Sequence, residues 1–220
     1  MATATDRDLD VQTLVRAELM WTPDVDAAGI GVEVKDGAVT LSGDVDTLAE
    51  KLAAEKAAFR VRGVRALVNG LEVRPKTSWW VGETDVAQEV DHALRAASNV
   101  PETVKATIAG HAVTLIGEVS REFQRRAAEH AVRNLRGVFS LTNLITLAER
   151  PSAPDTEKRI REAIARNAQL DADSIHVAVD GNVVRLTGTV KSWAERHQAA
   201  EAAWASPHVT EVRNDIYIVA

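Results

Sequence analysis

An α+β fold, built as three tandem copies of a small α-β-β-α-β domain, follows from three features of the sequence. Residues 35–45 (KDGAVTLSGDV), 109–119 (AGHAVTLIGEV) and 180–190 (DGNVVRLTGTV) share one frame. Gly43, Gly117 and Gly188 recur at intervals of 74 and 71 residues, as do Asn69, Asn143 and Asn214. Within each copy the apolar period also switches from helical to two-residue alternation and back. Fixed-period self-similarity marks a tandem array. The switches of period give each copy a three-stranded mixed sheet with two helices packed on one face. The frame places the domains at 6–74, 83–148 and 155–220.

Each copy opens with a helix. Val11, Leu14, Val15 and Leu19 fall on one stripe, as do Val86, Val90 and Leu94, and Ile160 and Ile164. Alternation of two follows in Ile30, Val32 and Val34, in Val104, Ala106 and Ile108, and in Ile175, Val177 and Val179. A second alternating run comes at once, Val39 to Val45, Val113 to Val119 and Val184 to Val190. The pairs between them are Asp36-Gly37, Gly110-His111 and Gly181-Asn182. Asp-Gly suits a type I′ turn and Gly-first pairs suit II′, so the runs form hairpins of constant loop length.

Gly43, Gly117 and Gly188 sit at the inward parity of the second strand. A missing side chain there marks a close approach or a bulge, expected to be a helix lying tight on the sheet. The second helix starts at capping boxes, Thr47-x-x-Glu50 and Ser192-x-x-Glu195. The middle copy has Arg121 and Gln124 in those places, and Ser120 is expected to cap one residue early. Alanine dominates these helices. The third strands are Leu67 to Val73, Leu141 to Leu147 and Val212 to Ile218. Proline-bearing linkers, RPKTS at 74–78 and RPSAP at 150–154, read as stiff spacers.

Bulk composition narrows the function classes. The chain has 220 residues, 45% of them hydrophobic, and a net charge of −6. Residues 75–150 carry nine basic and nine acidic side chains. No copy is broadly basic, which argues against nucleic acid as a partner. No cysteine means no disulfide, thiolate metal site or cysteine nucleophile. There is no transmembrane-length apolar run and no basic-apolar leader, so the expected compartment is the cytoplasm. His92, His111, His130, His176, His197 and His208 show no metal-ligand spacing. No cofactor motif or catalytic constellation recurs, and the expectation is a protein that is not an enzyme.

The plan resembles the BON domain, named from osmotically inducible Y-type and nodulation proteins of bacteria. Gly43, Gly117 and Gly188 match its hallmark glycine. Residues 63–71 and 137–145 match its Gly-Val…Asn-x-Ile ending, while Pro207-His208-Val209 departs from it. The resemblance covers nearly the whole chain outside the linkers. It implies a non-enzymatic binding module tied to osmotic and envelope stress, phospholipid surfaces or outer-membrane chaperoning. In one cytoplasmic branch it implies potassium binding.

Candidate sites follow from the residues. Asn69, Asn143 and Asn214 share the parity of their apolar neighbours, so they point inward as structural amides. In the middle copy's second helix, Phe123, Ala127, Ala131 and Leu135 are expected to form the core face. Arg121, Arg125, Arg126, Arg133 and Arg136 then spread over the other side as a lipid- or anion-binding surface, or as a solvated face with Glu122 and Glu129. Trp79 and Trp80 in the first linker either wedge between copies or meet a partner. The outward parity of the middle sheet carries Ile116 and Leu144 where the first copy has polar residues, and suits inter-copy packing or a partner equally. The expected function is a stress-associated binding or scaffold protein for anionic phospholipid or an acidic protein; the alternative is a K⁺-responsive module.

Overall fold

The computed structural model describes residues 4–76, 81–151, 153–167 and 172–219. The chain forms two compact units, the first holding repeat one and most of repeat two, the second holding Ser120–Glu122 and the chain from Leu147 on. Repeat one runs α1 (Ala4–Trp21), β1 (Ile30–Lys35), β2 (Ala38–Val45), α2 (Leu48–Arg60) and β3 (Ala66–Val73). Repeat two runs α3 (Glu83–Ala96), β4 (Lys105–Ala109), β5 (Ala112–Ile116), β6 (Glu118–Val119), α4 (Glu122–Arg133), β7 (Ser140–Asn143) and β8 (Thr146–Leu147). Repeat three runs α5 (Thr156–Ala165), β9 (Ile175–Asp180), β10 (Val183–Val190), α6 (Trp193–Trp204) and β11 (Glu211–Ile218). The class is α+β, as the periodicities predict.

The hairpin strands pair antiparallel, Val32 opposite Leu41 and Val177 opposite Leu186. The third strand pairs parallel to the second, Leu41 beside Asn69 and Leu186 beside Asn214, because the intervening helix carries the chain back to the same end. The second strand is therefore central in every sheet. Turn chemistry follows composition. Asp36 and Gly37 both have positive φ, as type I′ requires, whereas in the other two turns only Gly110 and Gly181 do, as in II′.

Helices cover one face of each sheet. Val15, Leu19, Val39, Leu41, Ala54 and Ala58 are buried together in repeat one, and Ile160, Ile164, Val184, Leu186, Ala199 and Ala203 in repeat three. The alternation of strand burial records the single covered face. Thr47 and Ser192 cap their helices, accepting from the Glu50 and Glu195 amides at 3.1 and 3.2 Å. Helix α4 begins at Glu122, which puts Arg121 rather than Ser120 in the frame of those caps. An exposed ion pair at 2.5 Å ties Lys76, after β3, to Asp26. The lysine's hydrogen bond holds the Asp26 carboxyl below its ordinary pKa.

The hallmark glycine does not mark a helix contact. Gly43, Gly117 and Gly188 have φ of 119, 131 and 123°, a region that L side chains rarely adopt. A Cβ at any of them would lie 2.0–2.4 Å from a backbone carbonyl oxygen, that of Gly29, Thr103 or Ser174, well inside contact distance. Gly29 and Ser174 directly precede the first strand of their repeats, and Thr103 lies two residues before β4. The close approach is thus between the entry to the edge strand and the middle of the sheet. In repeat two it coincides with a break between β5 and β6, and the Thr103 hydroxyl reinforces it by donating to the Glu118 carbonyl at 2.6 Å.

Gly117→Val should cost on the order of 2–5 kcal/mol, from a strained φ together with a backbone clash. Urea denaturation measures it, and an unshifted midpoint would refute the contact.

Candidate functional site

The three asparagines make the same tie. Their Oδ1 atoms accept from the backbone amide two residues on, Leu71 at 3.3 Å, Ile145 at 3.2 Å and Ile216 at 3.3 Å. Their Nδ2 groups reach the second helix. Asn69 donates to Glu55 at 2.9 Å, Asn143 to Glu129 at 3.3 Å and to the Arg125 carbonyl at 3.4 Å, and Asn214 to the Arg196 carbonyl at 3.0 Å. The side chains are half-buried and structural, stapling the third strand to the helix above it.

A basic residue answers from the helix. Lys51 donates to the Leu71 carbonyl at 2.6 Å, and Arg196 to the Ile216 and Asn214 carbonyls at 3.1 and 2.5 Å. Arg125 occupies the same place in the repeat frame.

Helix α4 is turned relative to the sequence expectation. Its buried residues are Ala128 and Val132, in the frame of Ala54 and Ala58 and of Ala199 and Ala203. Phe123, expected in the core, is 58% exposed. In the repeat frame Phe123 aligns with Ala49 and Ala194, off the buried line of the second helix. The five arginines therefore do not share one face. Arg121 precedes the helix, and Arg125 flanks the core on the side of β7. Arg126 and Arg133 lie on the outer side with Phe123 and His130, at spacings of three and seven, and Arg136 is exposed just past the helix end.

The open face of the middle sheet matches its expectation more closely. Ile116 is 40% and Leu144 59% exposed. Register sets Thr107 opposite Thr114 and Thr114 beside Thr142, one rank of hydroxyls and methyls across the sheet. Trp79 and Trp80 lie outside the described residues. Trp21, within repeat one, is 84% exposed.

The turn of the middle hairpin is locked by a side chain. His111 Nδ1 lies 2.8 Å from the Gly137 carbonyl, and the ring stacks on Phe139 at 4.1 Å and 19°. Asn182, its counterpart, donates to the His208 carbonyl at 2.6 Å. Among the described residues no cluster of three or more His, Cys, Asp or Glu side chains has metal-binding geometry, and no helix is long and apolar enough to cross a membrane.

The fold unit, its glycine and its asparagine are three times repeated, and the BON domain sequence profile matches residues 7–75, 82–149 and 152–220. The chain belongs to the BON domain family. Among curated relatives it is similar to osmotically-inducible protein Y of Escherichia coli strain K12, 30% identical over 141 residues. That alignment covers 62% of this chain and 70% of the relative. Two structures of CdsD, a structural protein of the type III secretion system of Chlamydia trachomatis, are remote likenesses. The first, of its C-terminal domain, has a TM-score of 0.28 at 12% identity and covers 96% of this chain and 98% of that one. The second has a TM-score of 0.27 at 13% identity and covers 96% and 92%.

The rotation of α4 is hidden in its own apolar pattern and visible only in the frame shared by the three repeats. Asn143→Asp tests the asparagine tie, because it sets a carboxylate against Glu129 and the Arg125 carbonyl. It should destabilise by about 1–3 kcal/mol at neutral pH. The folded-state pKa of the new carboxyl is raised, so the penalty should shrink as pH falls toward the carboxylate range. Denaturation midpoints unaffected at both pH values would count against the tie.

Proposed function

We propose that this protein is a non-catalytic binding protein of osmotic or envelope stress, whose middle domain docks on anionic phospholipid surfaces through the outer side of α4. The family and the osmotically inducible relative support the first part. The second rests on one observation, an exposed Phe123 in line with Arg126 and Arg133, with Arg136 beyond.

That combination suits an interface between water and lipid. A phenyl ring gains roughly 1.5–3 kcal/mol when its apolar surface leaves water. Each basic side chain beside an anionic leaflet adds about 1 kcal/mol, and a guanidinium grips phosphate oxygens bidentately. The sum fits reversible, salt-sensitive binding. The net charge of −6 opposes approach of the whole chain, so attraction is local to the charge-balanced middle repeat.

Vesicle co-sedimentation tests the proposal. Vesicles rich in anionic phospholipid should retain the protein at low salt and release it as salt rises, and neutral vesicles should not retain it. Arg126→Gln, Arg133→Gln and Arg136→Gln together should abolish retention, and Phe123→Ala should weaken it several-fold, with the melting temperature nearly unmoved. Equal retention by the triple variant, or none by the wild type at low salt, sinks the lipid reading.

A further inference from the structure

The middle repeat departs from repeat one at the meeting of its first helix and edge strand. In repeat one, Gln12 reaches from α1 and donates to the Val32 carbonyl on β1 at 2.6 Å. The buried valines place the helices in register, Val15 over the core as Val90 is, so Ala87 stands where Gln12 stands. In the strands, Ala106 stands where Val32 does, since each faces the equivalent leucine, Leu115 or Leu41. Two small residues thus replace a long amide and a branched side chain. A cleft of about 530 Å³ opens there, with Ala87, Leu94, Ala106 and Ile108 among its walls.

We propose that this cleft and the outer edge of β4 form a peptide-binding site, which takes an extended, uncharged segment as a fourth strand. Among the described residues no strand pairs with β4 on that side. The carbonyl of Ala106 has the outward position that Gln12 serves in repeat one, and the N–H of the same residue points the same way. The occupant must supply what Gln12 supplies, an amide donor carried on apolar bulk. A backbone amide followed by an aliphatic side chain does both, by the geometry of β-strand addition. The charges at the cleft sum to zero, Asp91 paired to Arg95 at 3.0 Å and Glu102 balancing Lys105, which fits a neutral segment.

The test titrates the ¹⁵N-labelled full chain with an acetylated, amidated Thr-Val-Leu-Val-Thr peptide at up to millimolar concentration. Saturable shifts should centre on residues 104–108 and Ala87, and hydrogen exchange of the Ala106 amide should slow. N-methylating the central peptide amide should weaken binding up to about tenfold. Ala87→Gln and, separately, Ala106→Val should each weaken it at least several-fold. Both variants install a residue that repeat one already carries, and an unchanged melting temperature shows that the fold is kept. No shifts in the wild type, shifts unaltered in both variants, or shifts centred on the β7 edge would overturn the site. So would occupancy by a neutral alkyl amphiphile and not by the peptide, which would make the cleft an acyl-chain pocket.

Discussion

Everything in the repeat hangs on one contact between backbones. A carbonyl at the entrance to the edge strand, from Gly29, Thr103 or Ser174, lies so close to the central strand that only a glycine with positive φ leaves it room. The contact fixes where the edge strand begins and which of its residues face the helices. Small domains have little apolar surface to bury. A steric rule at the sheet's centre therefore carries weight that a larger core would share.

The remaining common features follow from bringing the layers close. The second helix presents Ala54 and Ala58, Ala128 and Val132, or Ala199 and Ala203 to the core. The third strand, parallel to its neighbour and reached only after a crossover, is held by the asparagine tie and, in repeats one and three, by Lys51 or Arg196. These interactions are internal and leave the outer surfaces free to differ. Function is sought where the copies diverge, and the middle copy diverges most. It alone joins an exposed phenylalanine to arginines on its second helix, a row of three threonines on the open sheet face, and two alanines where repeat one closes its edge.

Much of this fold was legible in the sequence, because three copies in register turn weak periodicities into strong ones. The hairpins, the turn types and the capping boxes at Thr47 and Ser192 all follow from local chemistry, whereas the mixed sheet left open which pair of strands is parallel. The inward asparagines were legible as structural amides, though their helix partners were not, since those lie 14 to 18 residues away. The glycine's importance was visible but its partner was not: alternation assigns a side to a side chain, and this residue's role is a backbone angle. Helix α4 misled because Phe123 is large and apolar, whereas the residues that face the sheet are Ala128 and Val132, in the frame of Ala54 and Ala58. The cleft left a signal in the repeat frame, Gln12 against Ala87 and Val32 against Ala106. Its meaning needed the Gln12 hydrogen bond, which no spacing rule contains.

The handedness of one added methyl probes the backbone contact at the central strand without touching any other group. The chain has no cysteine, so residues 178–220 can be made synthetically, ligated through a cysteine at position 178 and desulfurised to the native Ala178. The residue at 188 can then be L-alanine or D-alanine. L-alanine puts its methyl against the Ser174 carbonyl at a φ it disfavours, while D-alanine accepts positive φ and points the methyl away. The expected result is a third domain that melts near the wild-type temperature with D-alanine and many degrees lower with L-alanine. Equal melting of the two would contradict the claim that this backbone contact sets the fold.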